Sequence, residues 1–147
     1  MMEIVKMEAH HVPQIGKIEK LCFSDPWSET SIASELSNRL SLWLVAEEDG
    51  EVLGYVGSQS VLGESDMMNL AVRPDCQRRG IGEKLVLALC DHLKERGNGC
   101  LSLEVRVSNL PAISLYQKLG FAQVGRRPNY YRDPKEDAFI LRKEWEA

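Results

Sequence analysis

Between Arg79 and Arg96, Ile81, Leu85, Leu89 and Leu93 recur at helical spacing, reinforced by Val86 and Cys90, so this stretch buries one stripe of an amphipathic helix. Strand-like segments flank it on both sides. About Asp66–Val72 comes before, closed by Arg73-Pro74. After Gly97 stops the helix, Leu101, Leu103, Val105 and Val107 alternate with Ser102, Glu104 and Arg106, the period of two that a pleated strand imposes. A long helix between two strands predicts an α/β sheet partly covered by helices.

The remaining segments fill out that sheet. A short strand at Glu3–Met7 precedes a helix with Val12, Ile15, Ile18 and Leu21-Cys22 at helical spacing. The turn Ser24-Asp25-Pro26-Trp27-Ser28 follows, with Ser28 placed to cap a second helix through about Leu36. Strands at Leu42–Glu47 and Val52–Ser60 flank an Asp49-Gly50 pair, a strong hairpin signal. Later, Asn109 can cap a helix whose Ala112, Leu115, Tyr116 and Leu119 share a face, and Gly120 stands where a left-handed cap is wanted. Strands at about Phe121–Arg126 and Asp137–Arg142 close the chain.

With 147 residues, 44% hydrophobic, and neither repeats nor a Pro/Gly-rich linker, residues 1–147 read as one domain large enough to hold a core without disulfides or metal. Cys22, Cys76, Cys90 and Cys100 stand far apart, as in a reduced cytosolic protein. With these cysteines His10, His11 and His92 make no metal-ligand spacing, no apolar run reaches the roughly 18 residues of a membrane helix, and the start carries no secretory pattern. A net charge of −4 argues against a general nucleic-acid binder. The charge is uneven: residues 1–73 hold 5 Lys+Arg against 12 Asp+Glu, leaving −7, and residues 74–147 hold 13 against 10, leaving +3. Acidic and basic faces suit a cationic substrate and an anionic cofactor; a solvated surface is the other reading.

The segment Gln77-Arg78-Arg79-Gly80-Ile81-Gly82 lies after a strand, at the opening of the long helix. Unpaired N–H groups and the positive dipole end favour a phosphate there, and the two glycines allow close approach. The P-loop pattern is absent, and the Rossmann pattern fails because Leu85 stands at its third glycine.

This segment resembles the Gln/Arg-x-x-Gly-x-Gly/Ala signature of the GCN5-related N-acetyltransferases, which cradles the pyrophosphate of acetyl-coenzyme A. The resemblance spans nearly the whole chain and is strongest to the RimI type, which acetylates the N-terminal alanine of a small-subunit ribosomal protein. Leu103–Asn109, Ala112-Ile113, Leu115-Tyr116 and Leu119-Gly120-Phe121 carry it. So do an early loop, Phe23–Ser28, and a late substrate-side loop, Arg127-Pro128-Asn129-Tyr130-Tyr131 with Glu136-Asp137-Ala138. Leu110-Pro111, where relatives are often alanine-rich, and a short tail after Trp145 depart from the pattern. Proline in a first helical turn is tolerated.

The resemblance implies a mixed, mostly antiparallel sheet flanked by helices, acetyl-coenzyme A as donor without metal, and direct transfer. Glu104 becomes the general base and Tyr116 the general acid. Leu70, Ala71, Val72, Arg78, Arg79, Gly80, Ile81, Gly82, Glu83 and Asn109 become cofactor-binding residues, and Trp27, Tyr130 and Tyr131 substrate-binding ones. From the residues alone, Glu104 is equally a strand glutamate paired with Arg106, Tyr116 a core tyrosine, Asn109 a cap, and Trp27 and the tyrosines packing groups. Cys76 reads as an exposed loop cysteine rather than an acetyl-carrying nucleophile. The implied partner is the N-terminus of a ribosomal protein, met in the cytoplasm by a monomer or weak oligomer that touches neither nucleic acid nor membrane. An acetyltransferase of a small-molecule or lysine amine, and a non-catalytic acyl-coenzyme A-binding domain, remain open at this point.

Overall fold

The computed structural model describes residues 1–145; Glu146 and Ala147, the end of the short tail, lie outside them. The elements are β1 (Glu3–Lys6), α1 (Val12–Cys22), α2 (Glu29–Ser34), β2 (Ser41–Glu48), β3 (Glu51–Val61), β4 (Glu64–Val72), α3 (Ile81–Glu95), β5 (Cys100–Arg106), α4 (Leu110–Lys118), β6 (Ala122–Arg132) and β7 (Lys135–Glu144). The seven strands form one sheet in the order β1-β2-β3-β4-β5-β7-β6. Among the described residues only β4 and β5 run parallel, joined through α3; every other pair is antiparallel.

Local chemistry explains the connections. Asp49 and Gly50 both take positive φ, 53° and 79°, the turn whose twist matches a tight hairpin. Ser28 Oγ accepts the Ser31 N–H at 3.1 Å and starts α2, while Asn109 Oδ1 accepts the Ala112 N–H at 3.3 Å and starts α4. Among the described residues, no helix is long and apolar enough to cross a membrane.

Each face of the sheet has its own core. On one, α3 and α4 lay Leu85, Leu89, Leu93 and Tyr116 against Leu44, Val56, Leu101 and Leu103. On the other, α1 and α2 bring Ile15, Ile18 and Ile32 onto Trp43, Val45, Tyr55 and Ala71. Gly57 lies under the Trp43 indole, where a Cβ would come within 2.3 Å of the ring.

Two sequence expectations change. Strand β6 runs on to Arg132, so Arg127–Tyr131 is strand rather than loop. Its irregular stretch, with Asn129 at φ 53°, sets Pro128, Asn129 and Tyr130 opposite Asp137 alone, and the Asp137 carboxylate accepts the Asn129 N–H. Cys76 is buried, 6% exposed, because Pro74–Cys76 forms a short 3-10 turn that folds it into the core.

Since the Trp43 ring cannot yield without disturbing Trp27 and Tyr55, which pack against it, Gly57→Ala is expected to cost about 1–3 kcal/mol of stability. Urea unfolding of the two proteins measures it.

Candidate functional site

The parallel pair is short. Strands β4 and β5 are in register only at Glu64, Ser65 and Asp66 against Cys100, Leu101 and Ser102. Beyond them the strands part, leaving Met67–Val72 and Leu103–Arg106 without one another. A bulge helps to open the sheet: β3 pairs Ser58 with Met67 and the adjacent Gly57 with Asn69, so Met68 is an extra residue. Two residues apart in a regular strand share a face. Here the bulge sends Met67 into the α3/α4 core and Asn69 to the α1 face, where it meets Glu19, the re-aiming for which bulges serve beside functional sites.

The start of α3 stands at the mouth of this opening. Arg78 and Gly80 both hold left-handed backbone, φ 71° and 74°, and Gly80 caps the helix without any side-chain hydrogen bond. The first N–H groups of α3, at Ile81, Gly82 and Glu83, therefore point outward without intrahelical partners, a nest for an anion at the positive dipole end. A Cβ on Gly80 meets nothing within 4 Å, so its space is open, while one on Gly82 would touch Val72 at 3.8 Å and Leu115 at 4.0 Å. The helix start, the end of β4 carrying Leu70, Ala71 and Val72, and α4 thus converge. Arg79 pairs with Glu48 at 3.3 Å and Glu83 with Lys118 at 3.1 Å, which leaves their backbones rather than their side chains facing the nest. Asn109 is the α4 cap.

Tyr116 approaches the opening from the α4 side. It is 7% exposed, with its hydroxyl 3.7 Å from Met67 Sδ. Burial, with the Tyr131 phenol nearby, pushes it above the usual tyrosine range. Glu104 projects from the opposite face of β5, its side chain 25% exposed, and its carboxylate faces Arg127 Nε at 3.4 Å. The pairing with Arg106 does not form. Arg106 pairs instead with Glu136 at 3.2 Å, donates to the carbonyls of Asp133 and Pro134, and places its Cζ 4.3 Å from the Tyr131 ring centre.

Tyr130 and Tyr131 stand edge to face, ring centres 5.0 Å apart. Burial and the Tyr130 and Glu104 side chains, against the opposing pull of Arg106, push Tyr131 up to about 12. The hairpin that carries them meets the early loop where Ser24 Oγ donates to the Asp133 carbonyl at 3.4 Å. Trp27 packs edge-on against Trp43, ring centres 5.4 Å apart. Its backbone N–H donates to Glu19 at 2.8 Å. The buried Cys76 thiol faces Asp75 at 3.6 Å and is not presented to a thioester.

Arg127 and Glu136 are named in the sequence only as part of the late loop, with no role of their own, and Glu19 is not singled out at all. Glu19 left a signal: it lies on the stripe of Val12, Ile15 and Cys22 and is 1% exposed, a carboxylate on an apolar helix face. It accepts from the Trp27 N–H at 2.8 Å, from the Tyr55 hydroxyl and from Asn69 Nδ2. A second cluster, His10, His11 and Glu47, brings ligand atoms within 4.8 Å. His11 Nδ1 accepts the Glu8 N–H at 2.9 Å, so its Nε2 carries the hydrogen donated to Glu47 at 2.6 Å. No lone pair is left there for a metal.

An anion nest beside a parted parallel strand pair, with a carboxylate and a buried phenol on the two faces, defines an acyl-coenzyme A-dependent transferase. The chain belongs to the acetyltransferase (GNAT) family, which it matches over residues 12–121. It is 40% identical over 143 residues to the [ribosomal protein bS18]-alanine N-acetyltransferase of Escherichia coli strain K12, with 96% of each chain covered. It is 41% identical over 133 residues to the protein of that name from Salmonella typhimurium, with 88% of each covered. The crystal structure of the Escherichia coli ribosomal-protein-S18-alanine N-acetyltransferase superposes with a TM-score of 0.92 at 38% identity, covering 100% of this chain and 96% of that one.

Burial holds Glu19 above the usual carboxylate value of 4.5, so the folded state keeps its proton more tightly than the unfolded chain. The stability this confers is complete below about 4.5 and is lost as pH rises through the raised folded value. Wild type is therefore expected to lose stability relative to Glu19→Gln, whose side chain does not titrate, as pH rises from 4.5 to 8. Urea midpoints across that range check it.

Proposed function

We propose that this protein transfers the acetyl group of acetyl-coenzyme A to the N-terminal amine of a protein, with the alanine of ribosomal protein bS18 as acceptor. It does so in the cytoplasm, where ribosomes are made, with residues 1–147 acting as one catalytic domain. The observation that carries the reading is the parted β4–β5 pair with Glu104 on one face and Tyr116 on the other. The relatives' named activity supports the choice of acceptor.

In this reading the N–H groups of the Arg78–Gly82 turn and of Glu83 hold the pyrophosphate, and the free edge of β4 at Leu70–Val72 aligns the pantetheine amides. Asn109 borders the same channel. The acceptor comes from the other face, between Trp27 and the Tyr130-Tyr131 hairpin. An α-amine has a pKa of about 7.7–8.0, so part of it is protonated at neutral pH and must lose a proton to attack. Glu104 takes that proton, directly or through water, before the freed amine forms the C–N bond, and the second nitrogen proton leaves by the same route, to Glu104 once it has released the first to water, as the tetrahedral intermediate collapses. The C–S bond then breaks and sulfur leaves as thiolate. Because burial makes Tyr116 a weaker acid than an ordinary phenol, and a thiol has a pKa of about 8.5, Tyr116 stabilises the thiolate by donating a hydrogen bond; full proton transfer is uphill.

Incubation with acetyl-coenzyme A and ribosomes from cells lacking the protein, followed by mass spectrometry, is expected to place acetyl on the bS18 N-terminal alanine. Acetyl found only on lysines or small amines would overturn the acceptor. Glu104→Gln should lower kcat about 10²–10⁴-fold at neutral pH with the KM for acetyl-coenzyme A little changed. Tyr116→Phe should lower kcat without moving the pH profile. Steady-state kinetics from pH 6 to 9 separates the two roles.

A further inference from the structure

We infer that Asn69, oriented by the buried Glu19 carboxylate, is a second hydrogen-bonding anchor for the acceptor amine, set across the opening from Glu104. The inference rests on the acetyl-transfer reading above and adds a specificity-determining contact to it.

Met68 is the residue left without a partner on β3, and its insertion turns Asn69 away from Met67 and Tyr116 onto the face from which α1 packs. Glu104 lies on that face too, since Leu103 and Val105 on either side of it point into the α3/α4 core. Asn69 also belongs to the Met67–Val72 stretch that β5 leaves unpaired. Its side chain thus stands beside the opening, on the acceptor's side.

Glu19 then decides which atom Asn69 offers. A carboxylate only accepts, so the amide facing it must present Nδ2, as it does. The Trp27 N–H and the Tyr55 hydroxyl hold the carboxylate in turn, and burial keeps the Tyr55 hydroxyl protonated as a donor. Three donors on two oxygens leave Glu19 little freedom. The Asn69 Oδ1 is therefore fixed on the side of the amide away from Glu19, and among the described residues it meets no donor. Asn69 is half-buried rather than sealed, so Oδ1 can receive one from a ligand.

A neutral primary amine has two N–H bonds and one lone pair. With one N–H on the Glu104 side and the other on Asn69 Oδ1, the lone pair is aimed into the opening, where the thioester carbonyl lies. Asn69 is the group that touches the amine; Glu19 acts through it, as a positioning residue. The same carboxylate holds the Trp27 backbone, so the early loop and the anchor are set by one group.

The test compares an alanine-starting peptide with the same peptide bearing N-methylalanine at its first position, which has one N–H fewer. Asn69→Ala is expected to lower kcat/KM for the alanine peptide about tenfold, to leave the N-methyl peptide within about twofold, and to leave the KM for acetyl-coenzyme A unchanged. A lost N–H contact affects only the acceptor that had it. Glu19→Gln, whose amide can meet Asn69 through either atom, should shift the two acceptors in the same unequal way by a smaller factor. An equal fall on both peptides, or none, overturns the inference while leaving the acetyl-transfer reading intact. A wild-type protein that acetylates neither peptide overturns both. Should Glu19→Gln fail to fold, the Asn69→Ala comparison decides alone.

Discussion

The structure depends on one interrupted interaction: two parallel strands that pair for three residues and then separate. Backbone N–H and C=O groups are costly to leave unpaired away from water, so a sheet does not open in its middle without something to take them up. Here the opening follows the bulge at Met68 and runs along Met67–Val72, with α3 beginning at its mouth. A long ligand rich in amides and ending in phosphates matches those features in order. The strand edge offers the ladder, and the helix start offers the anion nest. Under the proposed function the fold would therefore select the donor through its backbone, with few side chains needed.

In the proposed reading, the same parting would keep the two reactants on separate sides until they meet. Tyr116 reaches the gap from the α3/α4 core, in dry surroundings beside Met67. Glu104 reaches it from the wetter face, among Arg127, Tyr130 and Tyr131. A phenol that must donate a hydrogen bond gains from burial, because its proton is held and its dipole is poorly screened. A carboxylate that must collect and release protons gains from contact with solvent. Strand alternation across β5 and the packing of α4 produce both environments from neighbouring positions.

Much of this was legible in the sequence because it rests on local rules. Period two at Leu101–Val107, period 3.6 at Ile81–Leu93, the Asp49-Gly50 turn and the caps at Ser28 and Asn109 each name their own structure. What was not legible is non-local. The bulge at Met68 has no composition signal, since it exists only in the register against β3. The extension of β6 through Tyr131 accompanies a contact with distant Asp137, which accepts the Asn129 N–H, and nothing within Arg127–Tyr131 itself signals it. Cys76 read as exposed because it stands among polar residues, yet a proline-initiated turn folds it inward. Arg127, not the nearby Arg106, became the partner of Glu104, because its long side chain reaches from β6 across the intervening β7 while Glu136 claims Arg106.

That exchange of partners bears on how an ammonium group is received. A partly exposed ion pair such as Glu104 with Arg127 is worth little net free energy, about 0–1 kcal/mol, so it is easily displaced. An incoming N-terminal ammonium carries the same charge as the guanidinium and can take its place beside Glu104 without leaving the carboxylate unpaired at any stage. The Arg127 side chain is long and 55% exposed, so water can solvate it away from Glu104. In the proposed reading, Glu104 as base would then rest in a weak pair of the same sign pattern as the reactant complex, and the electrostatic cost of admitting the acceptor would stay small. A tight, buried pair there would have made the base unavailable, since breaking one typically costs about 3–5 kcal/mol.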